Sequence, residues 1–359
     1  MSTDSSHILA CKVIHLIPHD GVGGVEVAAR SMLKSDDLND NFKLFLIAGK
    51  SLSGDRINVI ESPFRSANNP LAHLRAISAI YKQSPEMLVC SLWRSVFTGV
   101  VVKILRPKTK LVFFLHSAST VHGLDRLLHK LMLRYCDAIW ADSQTTLCAR
   151  VNYFCSYQTS VISFVTQKPE QVQLNTTPSP NFVFWGRLHK QKGVDRAIRL
   201  IKALVDDGHN CKFQIWGRDD GEKKRLIDLV DTLELTNHVE FKGPADYAEL
   251  QNIAARYCFY LQLSEREGMA MSVLEAMQFG LIPVVTPVGE IEKYCVDGEN
   301  AIVVHETETF CHTVDLLGSV LGDKESFNAL QDHAVNTWKE TALYEDDFID
   351  AANRLFANP

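Results

Sequence analysis

The sequence predicts an α/β protein in which two doubly wound parallel sheets form two separate domains. Three observations predict this class. The length of 359 residues exceeds what one ordinary hydrophobic core encloses. Short apolar runs alternate with longer amphipathic stretches along the whole chain. A proline-rich segment interrupts this alternation near the middle. The composition, with 46% hydrophobic and 22% charged residues, is that of a globular chain with a substantial core.

The first half alternates predicted strands with predicted helices. Helix-like stretches include VEVAARSML and PLAHLRAISAIYKQ. This βαβ order predicts a parallel sheet covered by helices, and we assign it to residues 1–168. The predicted strands of this domain are KVIHLIP, FKLFLIAG, MLVCSL, KLVFFLH, AIWADS and VISFV.

The segment TQKPEQVQLNTTPSPN contains three prolines and many small polar residues. It predicts an interdomain linker, assigned to residues 169–180. The alternation then restarts and predicts a second domain over residues 181–341. Ligands of open α/β sheets bind at the carboxyl ends of the strands, so we expect the site in a cleft facing both sheets. The predicted elements of the second domain are NFVFWGR, VDRAIRLIKALVDDG, CKFQIWG, KKRLIDLVDTLEL, HVEFKG, AELQNIAARY, CFYLQLS and LIPVVT.

Cysteine spacing and hydropathy restrict the cellular setting. The nine cysteines include no C-x-x-C pair, which favours a reducing cytoplasm over a disulfide framework or a zinc ribbon. We see no apolar run long enough to span a bilayer, and the start MSTDSSHILACK lacks the features of a signal peptide. We therefore expect a cytoplasmic protein.

Charge is distributed unevenly along the chain. Residues 1–170 carry 19 Lys and Arg against 13 Asp and Glu, a balance of +6, whereas residues 171–359 carry 18 against 30, a balance of −12. A basic half can meet an anionic membrane surface, although such a difference also arises by chance. The helix-like run RLLHKLMLR places Arg126, Lys130 and Arg134 on one face, suited either to anionic lipid headgroups or simply to solvent. No nucleic-acid-binding module is recognisable, so we expect no nucleic-acid partner.

The run DGVGGVE follows the first predicted strand and precedes a helix. Its glycines allow a tight turn and a close approach to an anion at the helix N-terminus; a plain turn is the alternative. A dinucleotide fingerprint would need glycine where the chain has Glu26. No nicotinamide cofactor is therefore expected.

Two further runs in the second half carry charged groups. GRLHKQKG places Arg187 and Lys192 after a strand, where a guanidinium and an ammonium suit a pyrophosphate, unless they are ordinary surface charges. EREGMAMSVLEAMQFG sets Glu267 and Glu275 around a helix expected to begin near Met271. The amides of residues 269–272, including Ser272, would face an anion. A capping box with Ser272 is the structural alternative for Glu275.

The second half contains five motifs in this order: GRLHKQKG, WGRDD, VEFKGP, EREGMAMSVLEAMQFGLIPVVTPVGE and VDGENAIVV. Their order and spacing resemble the second domain of retaining GT-B glycosyltransferases. This large family includes sucrose synthases and bacterial mannosyl- and glucosyltransferases. The resemblance extends from Gly186 to Val304, and GVGGVE and FFLHSAS add matches in the first half. It implies the GT-B fold, with two Rossmann-like domains facing across a cleft.

The resemblance also implies roles for individual residues. Glu275 would bind the donor ribose, and Glu267 would contact hydroxyls of the transferred sugar. Arg187 and Lys192 would hold the diphosphate in place of a metal, so that no metal or cofactor is expected. His116 would contact the sugar near the reacting carbon. The remaining donor-binding positions are Gly23 and Gly24 near the phosphate, Gly217 and Arg218 near the base, and Met269, Ala270 and Met271 at the sugar and phosphate.

The chain departs from the family pattern at three places. Met269-Ala270 replaces the common Phe-Gly, only Gly289 stands where paired glycines are usual, and the Asn-Gly turn after VISFV is missing. Residues 326–356 look helical, with Trp338 and Tyr344 as packing anchors. In the fold that the chain resembles, the last helix returns to the first domain, so residues 342–359 are assigned there.

The activity implied is retaining, metal-independent transfer of a hexose from a UDP- or GDP-linked sugar to a glycan or lipid-linked glycan, in the synthesis of surface polysaccharide or lipopolysaccharide. Such an enzyme would be cytoplasmic, or peripheral on the inner face of the membrane. Two alternatives remain open at this stage. One is a non-catalytic GT-B subunit that binds nucleotide or glycan, and the other is a nucleotide-sugar epimerase of similar fold.

Overall fold

A computed structural model describes residues 9–35, 38, 41–53, 57–117, 123–151, 157–305 and 309–357. The chain forms two compact units, one containing residues 1–167 and 342–359 and the other containing residues 168–341. The last two residues of the helix expected over 342–359 lie outside the described residues.

The described strands of the first unit form a seven-stranded sheet, in which every recorded pairing is parallel. The spatial order is β3-β2-β1-β4-β5-β6-β7, so the chain changes direction across the sheet between β1 and β4. The strands are β1 (Val13–Ile17), β2 (Phe42–Leu46), β3 (Val59–Ile60), β4 (Met87–Ser91), β5 (Lys110–Leu115), β6 (Ala138–Ala141) and β7 (Gln158–Val161). The helices are α1 (Gly24–Ser31), α2 (Pro70–Gln83), α3 (Trp93–Leu105), α4 (Gly123–Tyr135) and α5 (Gln144–Arg150), with α13 (Tyr344–Ala357) supplied by the end of the chain.

The described strands of the second unit form a six-stranded parallel sheet, ordered β10-β9-β8-β11-β12-β13. Here the direction changes between β8 and β11. The strands are β8 (Asn181–Trp185), β9 (Lys212–Trp216), β10 (Val239–Phe241), β11 (Phe259–Gln262), β12 (Ile282–Val285) and β13 (Ile302–Val303). The helices are α6 (Val194–Asp206), α7 (Lys223–Thr232), α8 (Tyr247–Ala254), α9 (Met271–Gln278), α10 (Ile291–Tyr294), α11 (Cys311–Gly322) and α12 (Lys324–Thr337).

Local sequence explains where several helices begin. Asn69 caps α2 by accepting a hydrogen bond from the Leu71 amide at 3.0 Å, and proline occupies the first helical position. Asp246 and Glu249 form a capping box at the start of α8. The apolar face of α6, with buried Val194, Ile198 and Ile201, packs into the core of its unit. The two caps thus mark where the loops before α2 and α8 end.

Two predicted elements differ from the structure. The strand expected over VISFV is wrong, because β7 ends at Val161, and Phe164 and Val165 beyond it are buried without strand pairing. The ring of Phe164 packs against Phe114 and Tyr344 instead. Residues 326–356, expected to be helical, form parts of two helices, α12 and α13, with a break between them. Trp338 and Tyr344, on either side of the break, are both buried as expected.

Residues 162–180, which include the predicted linker, form no helix or strand. From residue 168 onward this segment lies on the second unit. Gln171 accepts a hydrogen bond through its carbonyl from the Gln251 side chain at 3.0 Å, and Asn175 donates to the Tyr257 carbonyl. Several of its contacts therefore belong to the unit that follows it.

Candidate active site

Most of the predicted site residues lie on loops that follow β8, β9 and β11 of the second unit. Arg187 and Lys192 follow β8, Gly217 and Arg218 follow β9, and the segment from Glu267 to Glu275 follows β11. Because β8 and β11 are neighbours at the point where strand order reverses, their carboxyl ends border the crevice where open α/β sheets bind ligands.

Lys192 and Glu267 form an ion pair at the centre of this group. The Lys192 Nζ lies 2.8 Å from Glu267 Oε1, and the two side chains are only 14% and 7% exposed. The same oxygen accepts from Ser264 Oγ at 2.7 Å and from Gln262 Nε2 at 3.1 Å. Three donors therefore hold one carboxylate oxygen, as a nearly buried charge requires.

Close backbone approaches bring these loops together. Gly193 has a φ of +63°, and a Cβ at this position would overlap the carbonyl of Leu263. A Cβ at Gly289, where φ is +62°, would overlap the carbonyl of Glu267. Glycine at these two positions lets the loops after β8 and β12 pack directly on the loop after β11. The lone Gly289, counted as a departure from the family pattern, thus packs against the backbone carbonyl of Glu267.

Substitution Gly193→Ala is expected to destabilise the protein more than the matched substitution Gly208→Ala. Both glycines have positive φ, but nothing lies within 4 Å of a Cβ built at Gly208. The left-handed backbone costs an alanine about 1–2 kcal/mol at either site, and only Gly193→Ala adds a backbone overlap. Urea unfolding of the two variants measures the difference, and equal losses of stability would contradict this account of the loop.

Glu275 lies on α9 and accepts a hydrogen bond from Trp185 Nε1 through Oε2 at 3.1 Å. The capping-box alternative is wrong, because Ala270 is the N-cap residue of α9 and no side chain caps it. Burial raises the pKa of Glu275 to about 7, while the Trp185 hydrogen bond and the Lys192 charge oppose this rise. A carboxyl with so few internal donors is suited to accept hydrogen bonds from a ligand.

The segment before α9 turns sharply at Ala270. Ala270 has a φ of +54°, which is uncommon for a residue with a side chain. The carbonyl of Met269 accepts from Tyr294 Oη at 3.0 Å, and Ser272 Oγ donates to Gln262 Oε1 at 2.8 Å. Helix α9 begins at Met271 as expected.

Arg187 is paired with Asp220, with 2.7 Å between Nη1 and Oδ2, and both side chains are more than one third exposed. The adjacent Asp219 accepts from the amides of Gly221, Glu222 and Lys223, and these bonds, that of Lys223 first, lower its pKa. Neither aspartate belongs to a metal cluster. Within the described ranges, no group of three or more His, Cys, Asp or Glu side chains could hold a metal ion.

The backbone after β9 contacts the loop after β8. A Cβ at Gly217 would overlap the carbonyl of Gly186, and the Arg218 carbonyl accepts from the Leu188 amide at 2.9 Å. Gly217 therefore permits the two loops to touch. The base-binding role expected for Gly217 and Arg218 stays a prediction.

Gly23, Gly24 and His116 belong to the first unit. Gly23 is the N-cap residue of α1, and Gly24 is its first residue. The loop before them is fixed by Asp20, which accepts from the Gly21 and Leu52 amides at 2.8 Å each and pairs with Arg30. Asp20 thus ties the start of the glycine-rich turn to Leu52 and to Arg30 of α1.

His116 follows β5, and its Nε2 lies 2.9 Å from the hydroxyl of Ser91 at the end of β4. A second histidine, His15 in the middle of β1, lies 2.8 Å from the same hydroxyl through its Nε2. Burial and then the His15 charge lower the pKa of His116 well below its ordinary value. His116 is therefore a neutral imidazole near pH 7.

The basic helix face expected over Arg126–Arg134 is present on α4 of the first unit. Arg126, Lys130 and Arg134 are exposed, and two apolar side chains, Leu124 and Leu127, are 52% and 63% exposed beside them. No helix in the described part of the chain combines the length and apolar character needed to cross a bilayer.

Several residues that shape the site were not identified from the sequence: Asp20, Ser91, Trp185, Asp220, Gln262 and Ser264. Gln262 offered a signal, since it is a polar residue within an apolar strand and is almost fully buried. Trp185 offered none, because an aromatic residue at the end of a buried strand is ordinary core.

Residues 166–335 match the sequence profile of the family described as Glycosyl transferases group 1. One similar curated protein is the GDP-mannose:cellobiosyl-diphosphopolyprenol alpha-mannosyltransferase of Xanthomonas oryzae, at 23% identity over 131 residues. That alignment covers 36% of this chain and 34% of the relative. The chain thus matches about one third of that relative's length.

Solved structures resemble the whole chain. HepE from Anabaena, crystallised with UDP and glucose, aligns with a TM-score of 0.77 over 97% of this chain and 100% of its own, at 18% identity. Sucrose-phosphate synthase from Thermosynechococcus elongatus aligns with a TM-score of 0.75 over 97% of this chain and 100% of its own, at 14% identity. At such identities the likeness establishes the fold. The chain has the GT-B fold, and the group 1 match over residues 166–335 supports a GT-B glycosyltransferase.

Proposed function

We propose that this chain is a retaining, metal-independent hexosyltransferase. It moves a hexose from a nucleotide-diphosphate sugar to a glycan or lipid-linked glycan during the synthesis of surface polysaccharide. The observation that carries the proposal is the convergence of Lys192, Glu267 and Glu275 at the carboxyl ends of β8 and β11, within a segment that matches group 1 glycosyl transferases. HepE, which shares the fold, was crystallised with UDP-glucose.

In this proposal each group meets a different part of the donor. Lys192 and Arg187 bind the diphosphate, because both are cations that can exchange an internal carboxylate for phosphate oxygens. Glu275 accepts hydrogen bonds from the ribose hydroxyls. Glu267 has three donors on Oε1, so its Oε2 is the oxygen placed to accept from a sugar hydroxyl. The role expected for His116 towards the transferred sugar stays a prediction.

The reaction transfers the anomeric carbon from a phosphate oxygen to an acceptor oxygen. The bond between that carbon and the β-phosphate oxygen breaks while the acceptor hydroxyl forms a new bond from the same face. The hydroxyl proton passes to the departing phosphate. Negative charge grows on the diphosphate, and Lys192 and Arg187 stabilise it where a metal ion would act in other transferases.

A thermal-shift panel with UDP, GDP and ADP tests the donor class. A nucleotide at 100 times its dissociation constant adds about 2.7 kcal/mol of stability. One of the three nucleotides should raise the melting temperature. When the corresponding sugar nucleotide is incubated with the protein and a glycan acceptor, the free nucleoside diphosphate should be released as a product. Failure of all three to shift the protein would reject the proposal. Binding without turnover would favour the non-catalytic subunit, and sugar interconversion without acceptor would favour the epimerase.

The acceptor side of the proposal rests on α4. The cations Arg126, Lys130 and Arg134 share a helix with exposed Leu124 and Leu127, and this combination suits the headgroup region of an anionic membrane. We include in the proposal a peripheral membrane contact at this face, where a lipid-linked acceptor is presented.

Replacing Arg126, Lys130 and Arg134 by alanine is expected to weaken binding to vesicles that contain anionic lipid. Each cation near such a surface contributes about 1 kcal/mol, so the triple variant should lose on the order of 100-fold in partitioning. Co-sedimentation with phosphatidylglycerol-containing vesicles measures it. The control variant removes three exposed lysines of the second unit, Lys224, Lys324 and Lys339. Equal losses of vesicle binding in both variants would contradict a specific contact at α4 and indicate nonspecific charge attraction.

A further inference from the structure

One buried amide of the second unit contacts a carboxylate and two hydroxyl groups. Gln262 is the last residue of β11, and its side chain belongs to a residue that is only 1% exposed. Its Nε2 lies 3.1 Å from Glu267 Oε1. Its Oε1 lies 2.8 Å from Ser272 Oγ and 2.9 Å from Tyr260 Oη. The proposed function gives this amide no role of its own.

Hydrogen-bond chemistry fixes which way the amide points. A carboxylate only accepts hydrogen bonds, whereas an amide donates from its nitrogen and accepts at its oxygen. The reversed amide would set its oxygen against Glu267 Oε1, with two acceptors in contact. Gln262 Nε2 therefore donates to Glu267, and the hydroxyls of Ser272 and Tyr260 face Gln262 Oε1.

Three elements of the second unit hold the amide in this orientation. Tyr260 lies two residues before Gln262 on β11, so both side chains project from the same face of the sheet. Its Oη also lies 2.8 Å from the carbonyl of Trp185 at the end of β8. Burial raises the pKa of Tyr260 well above its ordinary value, so its phenol stays neutral. Ser272 lies in the first turn of α9.

The two oxygens of Glu267 consequently have different surroundings. Oε1 accepts hydrogen bonds from Lys192, Ser264 and Gln262. No donor among the described residues reaches Oε2, and this atom is not one of the buried side-chain atoms that lack a partner. Oε2 is therefore in contact with solvent, where a ligand can reach it.

Lys192 is the donor that the proposed reaction draws away from Glu267, because the same ammonium binds the diphosphate. Oε1 then keeps only Ser264 and Gln262. The hydroxyl of Ser264 can rotate its single proton to another acceptor, whereas the planar amide of Gln262 is braced at its other end by Ser272 and Tyr260. Gln262 is therefore the donor whose direction does not change when the lysine leaves.

We propose that Gln262 is a positioning residue, which holds Oε1 of Glu267 inside the protein and keeps Oε2 directed at a hydroxyl of the transferred sugar while Lys192 binds the diphosphate. The contact with the sugar rests on the proposed function, but the orientation of the carboxylate does not. All the residues of this arrangement belong to the second unit.

Turnover of the sugar nucleotide found by the thermal-shift panel tests the positioning role. Gln262→Met removes the amide at similar volume. The matched control is Gln331→Met, because Gln331 of α12 is also a buried amide, 2% exposed, and donates to the Gly280 carbonyl at 2.7 Å. Gln262→Met should lower kcat/KM at least about 10-fold below the control, since a misplaced group commonly costs up to about 10²-fold. Binding of the nucleoside diphosphate, which lacks the sugar, should be the same in both variants.

Gln262→Glu adds a pH readout that a merely structural role would not produce. A protonated carboxyl at position 262 can donate to Glu267 as the amide does, whereas an ionised one cannot donate and repels the neighbouring carboxylate. The kcat/KM of this variant, divided by the wild-type value at the same pH, should therefore recover when the pH is lowered from 8 to 5. The division removes the titration of Glu275, whose pKa is raised by burial to about 7.

Melting temperatures test the contact between Gln262 and Glu267 without any ligand. Gln262→Glu should melt further below its parent at pH 8 than at pH 5, because the new carboxyl loses stability as it ionises beside Glu267. In a Glu267→Gln background only one carboxyl of the pair remains. The same substitution should then produce a smaller pH-dependent deficit, and the difference between the two backgrounds measures the coupling of the two side chains.

Three results would overturn the inference. Equal pH-dependent deficits in the two backgrounds would show that Gln262 does not orient Glu267. A kcat/KM of Gln262→Met equal to that of Gln331→Met would refute the positioning role, as would a Gln262→Glu variant that regains no activity at pH 5. If no nucleotide binds the wild type, the proposed function fails and the sugar contact fails with it, whereas the melting temperatures still decide what orients Glu267.

Discussion

Lys192→Ala is expected to reduce the turnover of the sugar nucleotide by about 10²–10³-fold, the usual loss when one preorganised donor to a developing oxyanion is removed. The Lys192 side chain is only 14% exposed and its ammonium lies beside Glu267, so in the alanine variant water is a poor substitute for the lost charge. Because negative charge on the diphosphate grows as the glycosidic bond breaks, the loss should fall mainly on kcat. Nucleoside diphosphate binding should weaken less, by about 10–100-fold, as for one hydrogen bond to a charged group.

The matched control for this prediction is Lys190→Ala. Lys190 lies on the same short 3-10 helix, Lys190–Lys192, and its side chain is exposed. Both variants lose one positive charge, so long-range electrostatics cancel in the comparison. Glu267 keeps Ser264 and Gln262 as donors in Lys192→Ala, so the fold should persist. Similar kcat values for the two variants would exclude Lys192 from the stabilisation of the leaving group.

Glu275→Gln is expected to stabilise the ligand-free protein at pH 8 and to abolish most of its response to nucleotide. The pKa of Glu275 is raised by burial from an ordinary 4.5 to about 7. At pH values between 4.5 and 7, the Glu275 carboxyl has lost its proton in the unfolded chain but retains it in the folded protein. The wild type therefore loses stability as pH rises from about 4.5 to about 7. A glutamine is neutral throughout and avoids this loss.

Melting temperatures at pH 5 and pH 8 measure the effect. The melting temperatures of Glu275→Gln and wild type should differ little at pH 5, and at pH 8 the variant should melt at the higher temperature. The control is Glu292→Gln at an exposed position, where no such difference is expected. With nucleotide present, the order at pH 8 should reverse, because only a carboxylate makes charged hydrogen bonds to the ribose, each contributing about 1.5–3 kcal/mol. Undiminished nucleotide stabilisation of Glu275→Gln would disprove the ribose contact.

The order of strands and helices could be predicted from the sequence because the local signals agree with the fold. The apolar runs of the second half became β8, β9, β10, β11 and β12 within a residue or two. The start of α9 at Met271 was also correct. Repeated alternation of strand-like and helix-like runs leaves few topologies, and parallel strands then carry the intervening loops to one edge of the sheet.

Contacts between distant segments could not be predicted in this way. Glu275 had the local form of a capping box, yet its partner is Trp185, ninety residues earlier. Likewise VISFV has a strand-like composition, but only Val161 belongs to β7, and Phe164 is buried by packing against the rings of Phe114 and Tyr344. A local apolar pattern predicts that residues are buried, but whether they pair as a strand or pack as a loop depends on their neighbours in the fold.

Helix α13 gives the chain an unusual order of assembly. The second unit is continuous in sequence, whereas the first needs residues 342–359. Phe348 of α13 packs against the rings of His15 and Trp140, so the early strands lack part of their core until the last helix arrives. During synthesis on a ribosome, domains fold as they emerge. The unit translated first is therefore completed last, and its unfinished sheet must wait while the whole second unit is made.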